Sequence, residues 1–227
     1  KYGTPRICFI NKLDRMGGSF EKSFQSILDK LTKNAVAITI PVGVEADFAG
    51  VIDLLKMKML CYEGDMGENV VEKEIPADYL EKAKQWREKM VDRIAGEDDT
   101  LTNKLLSGEE ISREELMAAL RIATLAFKLV PVFCGTALKN KGTQLILDAV
   151  IDYLPSPMDI GHVKGTDPKT GAEIDRKFSD DEPFSALVFK VATDPFVGQL
   201  TFFRVYSGVL NKGTYLLNSV TGEQERI

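Results

Sequence analysis

Arg6-Ile7-Cys8-Phe9-Ile10-Asn11-Lys12-Leu13-Asp14-Arg15-Met16-Gly17-Gly18 is the stretch on which the fold turns. Arg6–Ile10 is a short, mostly apolar run without polar alternation, the pattern of a strand buried on both faces of a parallel sheet. The polar Asn11-Lys12-Leu13-Asp14 follows it directly, Gly17-Gly18 turns the chain, and Ser19 stands where a helix N-cap belongs. Phe20, Phe24, Ile27, Leu28 and Leu31 then recur at helical spacing, so the expected helix has one face to bury. Strand, loop and helix in that order make a unit of an α/β fold.

A second such unit lies far along the chain. Leu129-Val130-Pro131-Val132-Phe133-Cys134 reads as another buried strand and Gly135-Thr136-Ala137-Leu138 as its loop. A helix follows over Thr143–Tyr153, apolar at Leu145, Ile146, Ala149, Val150 and Tyr153, until Leu154-Pro155-Ser156-Pro157 stops it. Between the two units the pattern changes. Strands are expected at Ala37–Ile40, Phe48–Leu55 and Met57–Tyr62, and a helix at Ala77–Ile94, broken at Gly96–Thr100. A further helix is expected at Ser112–Phe127, where Ser112 and Glu115 have the spacing of a capping box. Residues 37–127 are therefore expected to be a subdomain inserted into a larger fold formed by 1–36 and 128–157. Residues 158–182, polar and rich in Gly, Asp and Lys, read as linker or loop. From Pro183 the pattern is all-β, with strands at Phe184–Thr193, Gln199–Ser207 and Tyr215–Asn218, too few to close a barrel.

Composition narrows the class. At 227 residues, 44% hydrophobic and 28% charged, the chain has the composition of a soluble globular protein with a core of its own. No stretch is apolar for long enough to cross a membrane. Lys1-Tyr2-Gly3-Thr4-Pro5 has neither an initiator Met nor a charged-then-apolar leader, so no signal peptide is expected and the chain is expected to start at an arbitrary point. Cys8, Cys61 and Cys134 are scattered without a C-x-x-C pair, and His162 is the only histidine. That excludes the usual zinc patterns and points to a reducing compartment. The net charge of −5 disfavours nucleic acid, but its distribution is uneven. Residues 63–116 hold sixteen acidic and eight basic side chains, against eighteen and twenty-one elsewhere. The acidic segment suits a protein partner, whereas the flanking parts are free to meet phosphate.

Asn11-Lys12-x-Asp14 lies at the C-terminal end of its strand, where open α/β sheets bind ligands. Guanine presents a ring N–H and an exocyclic amino group on one edge, and a carboxylate accepts both, so Asp14 suits guanine and disfavours adenine. The Asn11 amide can tie the loop together, and the Lys12 stem can lie on the face of the base. Read alone, the tetrapeptide equally suits a polar turn. Gly135-Thr136-Ala137-Leu138 is the second signal. Its small residues let backbone N–H groups approach the guanine carbonyl, and Thr136 can hold Asp14. Alone it equally suits a tight β-to-α turn. Two such loops, each between a core strand and a helix, favour a guanine pocket. Other features have plainer readings: Asp180-Asp181-Glu182 as a solvated loop, Trp86 as a packing or partner-contact residue, and Lys139 and Lys141 as exposed lysines. No catalytic residue and no metal ligand is expected in the chain.

Beyond these loops, the chain resembles translation elongation factor G. The likeness rests on Asn11-Lys-Leu-Asp14, Gly135-Thr-Ala-Leu-Lys-Asn-Lys-Gly142, Leu147-Asp-Ala-Val-Ile-Asp-Tyr-Leu-Pro-Ser-Pro157, and Phe189-Lys-Val-Ala-Thr-Asp-Pro-Phe-Val-Gly-Gln-Leu-Thr-Phe-Phe-Arg-Val-Tyr-Ser-Gly208. It extends over essentially the whole chain. It implies the C-terminal half of a P-loop GTPase-type parallel sheet with an inserted α+β subdomain, followed by the start of an antiparallel β-barrel, the second domain of the factor. It implies a ribosome-dependent GTPase that drives tRNA–mRNA translocation in the cytoplasm, binds GTP and GDP with Mg²⁺, and works as a monomer away from membranes. Asn11, Lys12 and Asp14 then match the base-recognition motif, and Thr136, Ala137 and Leu138 the second base loop. The acidic insert matches the part that meets the ribosomal stalk protein, and the β segment the part that rests on small-subunit rRNA. Two residues depart from the pattern: the family usually has Ser where Thr136 stands, and often an aromatic at Leu138. No G-x-x-x-x-G-K-[ST] occurs in the sequence, so the phosphate cradle and Mg²⁺ ligands are expected upstream, and this segment alone is expected to be inactive. The competing readings are a ribosome-protection or release-factor GTPase, and a protein-docking module with no nucleotide role.

Overall fold

The computed structural model describes residues 3–64, 66–196 and 198–227. Lys1 and Tyr2, Asp65 in the acidic stretch, and Val197 in the Asp194-Pro195-Phe196-Val197-Gly198 segment lie outside the described residues. The chain divides into two compact units, Lys1–Leu154 and Pro155–Ile227.

The first unit opens with β1 (Cys8–Ile10) and α1 (Phe20–Lys30), whose Ser19 cap accepts the Lys22 N–H at 3.3 Å. β2 (Ala35–Ala37) and β3 (Thr39–Val42) come next. Where the sequence suggests one strand at Ala37–Ile40, the apolar run is divided between two sheets. β2 joins a parallel sheet and β3 an antiparallel one. Ile38, buried between them, donates its N–H to Val132 C=O at 2.9 Å and accepts from Leu54 N–H at 3.0 Å. A run that is buried throughout carries no periodicity to mark such a switch.

β4 (Gly50–Asp53), β5 (Lys58–Glu63) and β6 (Asn69–Lys73) complete the antiparallel sheet in the order β3-β4-β5-β6. β6 is absent from the sequence reading because Glu72 and Lys73 dilute its apolar signal. Three helices follow: α2 (Ala77–Ala95), α3 (Asp99–Ser107) and α4 (Arg113–Leu125). α3 occupies part of the expected break, where Asp98 caps it by accepting from Thr100 and Leu101 N–H. The α4 capping box forms in both directions, Ser112 with Glu115. Trp86 of α2 packs edge-on against Phe20 and Phe24 of α1, with ring centroids 5.4 and 5.3 Å away. It is a packing residue that joins α2 to α1.

β7 (Val130–Cys134) is buried along its length and lies between β1 and β2, parallel to both. α5 (Thr143–Tyr153) ends the unit.

The second unit holds α6 (Pro157–Ile160) and the antiparallel pairs β8 (His162–Thr166) with β9 (Glu173–Lys177), β10 (Ser185–Asp194) with β11 (Gly198–Ser207), and β12 (Tyr215–Leu217) with β13 (Gln224–Arg226). These pairs do not join into a closed barrel among the described residues. The expected loop at 158–182 thus contains a hairpin, turned at Asp167, whose carboxylate accepts the N–H groups of Lys169 and Thr170. No described helix is long and apolar enough to cross a membrane.

Candidate functional site

β1 and β7 run side by side in register, Ile10 opposite Cys134. The loops that leave their C-terminal ends therefore emerge next to each other. Gly135 N–H donates to Ile10 C=O at 3.0 Å, and Leu13 N–H donates to Gly135 C=O at 3.3 Å, continuing the sheet into the loops. The Asn11 side-chain oxygen accepts from Lys12 N–H at 2.8 Å and from Ala137 N–H at 2.9 Å. One amide thus closes its own loop and ties it to the second. Lys12 takes left-handed backbone, φ 63°, where the chain bends away from β1.

The second loop is pinched at its base. Thr136, buried, exchanges both backbone hydrogen bonds with Lys141, at 2.9 and 3.1 Å. Within the pinch Ala137–Lys139 makes one 3₁₀ turn, and Asn140 returns the chain in left-handed backbone. Gly135 is required by close approach: a Cβ there would lie 2.2 Å from Lys141 C=O and 2.9 Å from the Phe9 ring.

Asp14 projects toward this second loop. Its Oδ2 lies 3.1 Å from Lys139 Nζ, and the side chain is only 12% exposed. The Thr136 hydroxyl, with the Lys139 ammonium acting in the same direction, holds the Asp14 carboxyl below the usual carboxylate range against the opposing effect of partial burial. At neutral pH it is an ionised acceptor oriented from both sides.

Of the residues singled out in the sequence, Asn11 and Ala137 are joined by a hydrogen bond, and Asp14 faces the loop of Thr136 and Ala137 through Lys139. Lys12 forms the neck of the first loop, and the Leu138 side chain stands 76% exposed at the rim. The Ala137 N–H donates to Asn11 Oδ1 at 2.9 Å. Sequence reasoning missed Lys139 as the partner of Asp14. Its only signal was position, three residues past Thr136 on a one-turn helix. Among the described residues, no group of three or more His, Cys, Asp or Glu is placed to hold a metal ion.

Comparison with known proteins places these loops in context. The family model described as "Elongation factor Tu GTP binding domain" matches residues 1–156, and that described as "Elongation factor G domain 2" matches residues 183–227. Among solved structures, a protein from Thermus thermophilus is similar, with a TM-score of 0.73 at 28% identity. The match covers 99% of this chain but 30% of that one, so the chain spans about a third of its length.

Proposed function

Because the chain belongs to the elongation factor Tu GTP binding domain family, we propose that it carries the guanine-recognition loops of a ribosome-dependent GTPase of the elongation factor G type, one that promotes tRNA–mRNA translocation. One observation carries this reading: the Asp14 carboxylate, 12% exposed and 3.1 Å from Lys139 Nζ, faces the second loop, which Asn11 ties to the first through the Ala137 N–H. Its two oxygens accept the ring N–H and amino group of guanine. Leu138 N–H, at the start of the 3₁₀ turn where helical N–H groups lack intrahelical partners, is the donor we assign to the guanine carbonyl. The Lys12 stem covers a face of the base.

The resemblance at residues 183–227 supports elongation factor G over a ribosome-protection or release-factor GTPase. In this reading residues 1–36 and 128–157 are parts of the nucleotide domain and 37–127 its insert, which meets the ribosomal stalk protein. Residues 158–182 connect to the second domain at 183–227, which rests on small-subunit rRNA. The protein works in the cytoplasm as a monomer. The base loops fit GTP or GDP. The nucleotide supplies the phosphate that is transferred to water, with Mg²⁺ held by residues outside this chain. The residues here select and orient the base. This segment by itself turns over no GTP, because its sequence contains no phosphate-cradling loop; release of phosphate by the purified segment above the uncatalysed rate refutes that.

Asp14→Asn in the complete protein tests the base assignment. Xanthine carries an acceptor where guanine has its amino donor, so the variant loses about 1.5–3 kcal/mol toward GDP and gains affinity for the xanthine nucleotide. Unchanged preference in nucleotide titrations overturns the reading in favour of a docking module.

A further inference from the structure

Two segments of the insert reach the two base loops from outside the site. The first is the turn after β3. Glu45 there adopts left-handed backbone, φ 51°, an uncommon and costly conformation for a residue other than glycine. Both its main chain and its side chain are engaged with the first loop. Its N–H donates to Leu13 C=O at 3.1 Å, and its Oε1 accepts the Gly17 N–H at 2.7 Å. Leu13 and Gly17 lie on either side of Asp14 in sequence. The second segment is the turn between β5 and β6. Gly67 C=O accepts from Gln144 Nε2 at 3.2 Å, just past the second loop. Gly67 lies so close to that loop that a Cβ would sit 2.8 Å from Lys139 C=O, and Lys139 is the cation facing Asp14.

Loops joining strand to helix are more mobile than the elements they join. A carboxylate that reads two donors must be held to within about 0.5 Å and 10–20° of its working geometry. Strained backbone persists only where its surroundings over-determine it, and in Glu45 the over-determining contacts go to the loop that carries Asp14. We propose that the insert is a brace for the base pocket. Glu45 of the insert and Gln144 of α5, which holds the insert's Gly67, are the positioning residues, one for each loop, and they set how long a guanine nucleotide stays bound. This rests on the guanine reading above.

The test is the dissociation rate of a fluorescent GDP from the complete protein, compared across Glu45→Ala, Gln144→Ala, Glu45→Gln and Asp14→Asn. Glu45→Ala and Gln144→Ala are each expected to speed dissociation about tenfold, the usual effect of one lost hydrogen bond, and the double variant more than either. The nucleotide-free melting temperature should stay within a degree or two. Glu45→Gln keeps an acceptor oxygen for Gly17 and should restore the slow rate. Gly67→Ala, which pushes on Lys139 from the other side without removing a polar group, should speed dissociation as well. Wild-type rates in both alanine variants, while Asp14→Asn still switches preference to the xanthine nucleotide, overturn the brace and leave the guanine reading standing. An Asp14→Asn variant that does not switch overturns both. Faster dissociation accompanied by an equal loss of nucleotide-free stability, unrelieved in Glu45→Gln, also overturns the brace, because it marks general destabilisation.

Discussion

Asp14 stands between two loops that Asn11 fastens together; Lys139 faces its carboxylate from 3.1 Å, and the Thr136 hydroxyl favours its charged form. Its candidacy was legible in the sequence because the proposed chemistry is carried by residue type. A carboxylate at a strand end next to an Asn and a Lys has few alternatives once a second loop is found. Lys139 was not legible, because an ion pair across two distant loops depends on which strands are neighbours. Gly135 was read only as a small residue, and the structure makes its smallness a condition of the site. Gly135→Ala drives a methyl into Lys141 C=O and the Phe9 ring, so we expect a loss of about 2 kcal/mol of stability, as overpacking against backbone does. Nucleotide binding should weaken further than that loss explains, since the methyl displaces the Thr136–Lys141 pinch. Thermal denaturation and GDP titration of the same variant separate the two effects.

Among the elements, α4 shows how a local signal becomes a structural one. Its capping box was readable from Ser112 and Glu115, and the structure adds Lys104 of α3, whose ammonium lies 2.6 Å from the same carboxylate. Lys104 first, then Ser112, depress the Glu115 pKa to about 2. A depressed carboxylate stabilises the fold above its unfolded value of 4.5 and loses that contribution as pH falls through about 2. Lys104→Met removes the main cause, so its acid-unfolding midpoint, followed by circular dichroism, should move to higher pH than wild type. An unchanged midpoint would show that the ion pair contributes nothing to acid resistance. The β8–β9 hairpin makes the opposite point. Each strand has one large apolar side chain, Val163 in β8 and Ile174 in β9, too few to mark a period of two in the sequence, and polarity alone reads as loop. The turn residues Asp167-Pro168 and Gly171 were visible, but a turn predicts a hairpin only when strands are recognised beside it.

At the scale of the molecule, the first unit has one hydrophobic core that runs from Ile10 of β1 through β3–β5 and α2–α4 to Tyr153 of α5. Residues 37–127 therefore share that core and belong to the same compact unit. Trp86, the only tryptophan, sits at the junction of α2 with α1 and reports on that continuity. Its fluorescence should change in a single transition that coincides with the opening of the slowest-exchanging amides in β7 and β4. An earlier fluorescence transition, with β7 amides still protected, would mean that the insert melts as a separate body.

Residue order alone was enough to locate two parallel strands, the helices after them and an acidic segment between, because hydrophobic period, caps and turn residues act over a few neighbouring positions; it did not show that β1, expected to be buried on both faces, is half-buried at Cys8 and Phe9 on the edge of its sheet. It could also name the carboxylate suited to a guanine edge, since that choice lies in the side chain. The adjacency of β1 and β7, the division of residues 35–42 between two sheets, and the contacts of Lys139, Glu45 and Gln144 with the loops came from folding. Each joins parts of the chain far apart in sequence, and what selects them is the burial of surfaces and backbone hydrogen bonds that exist only once the whole unit has formed.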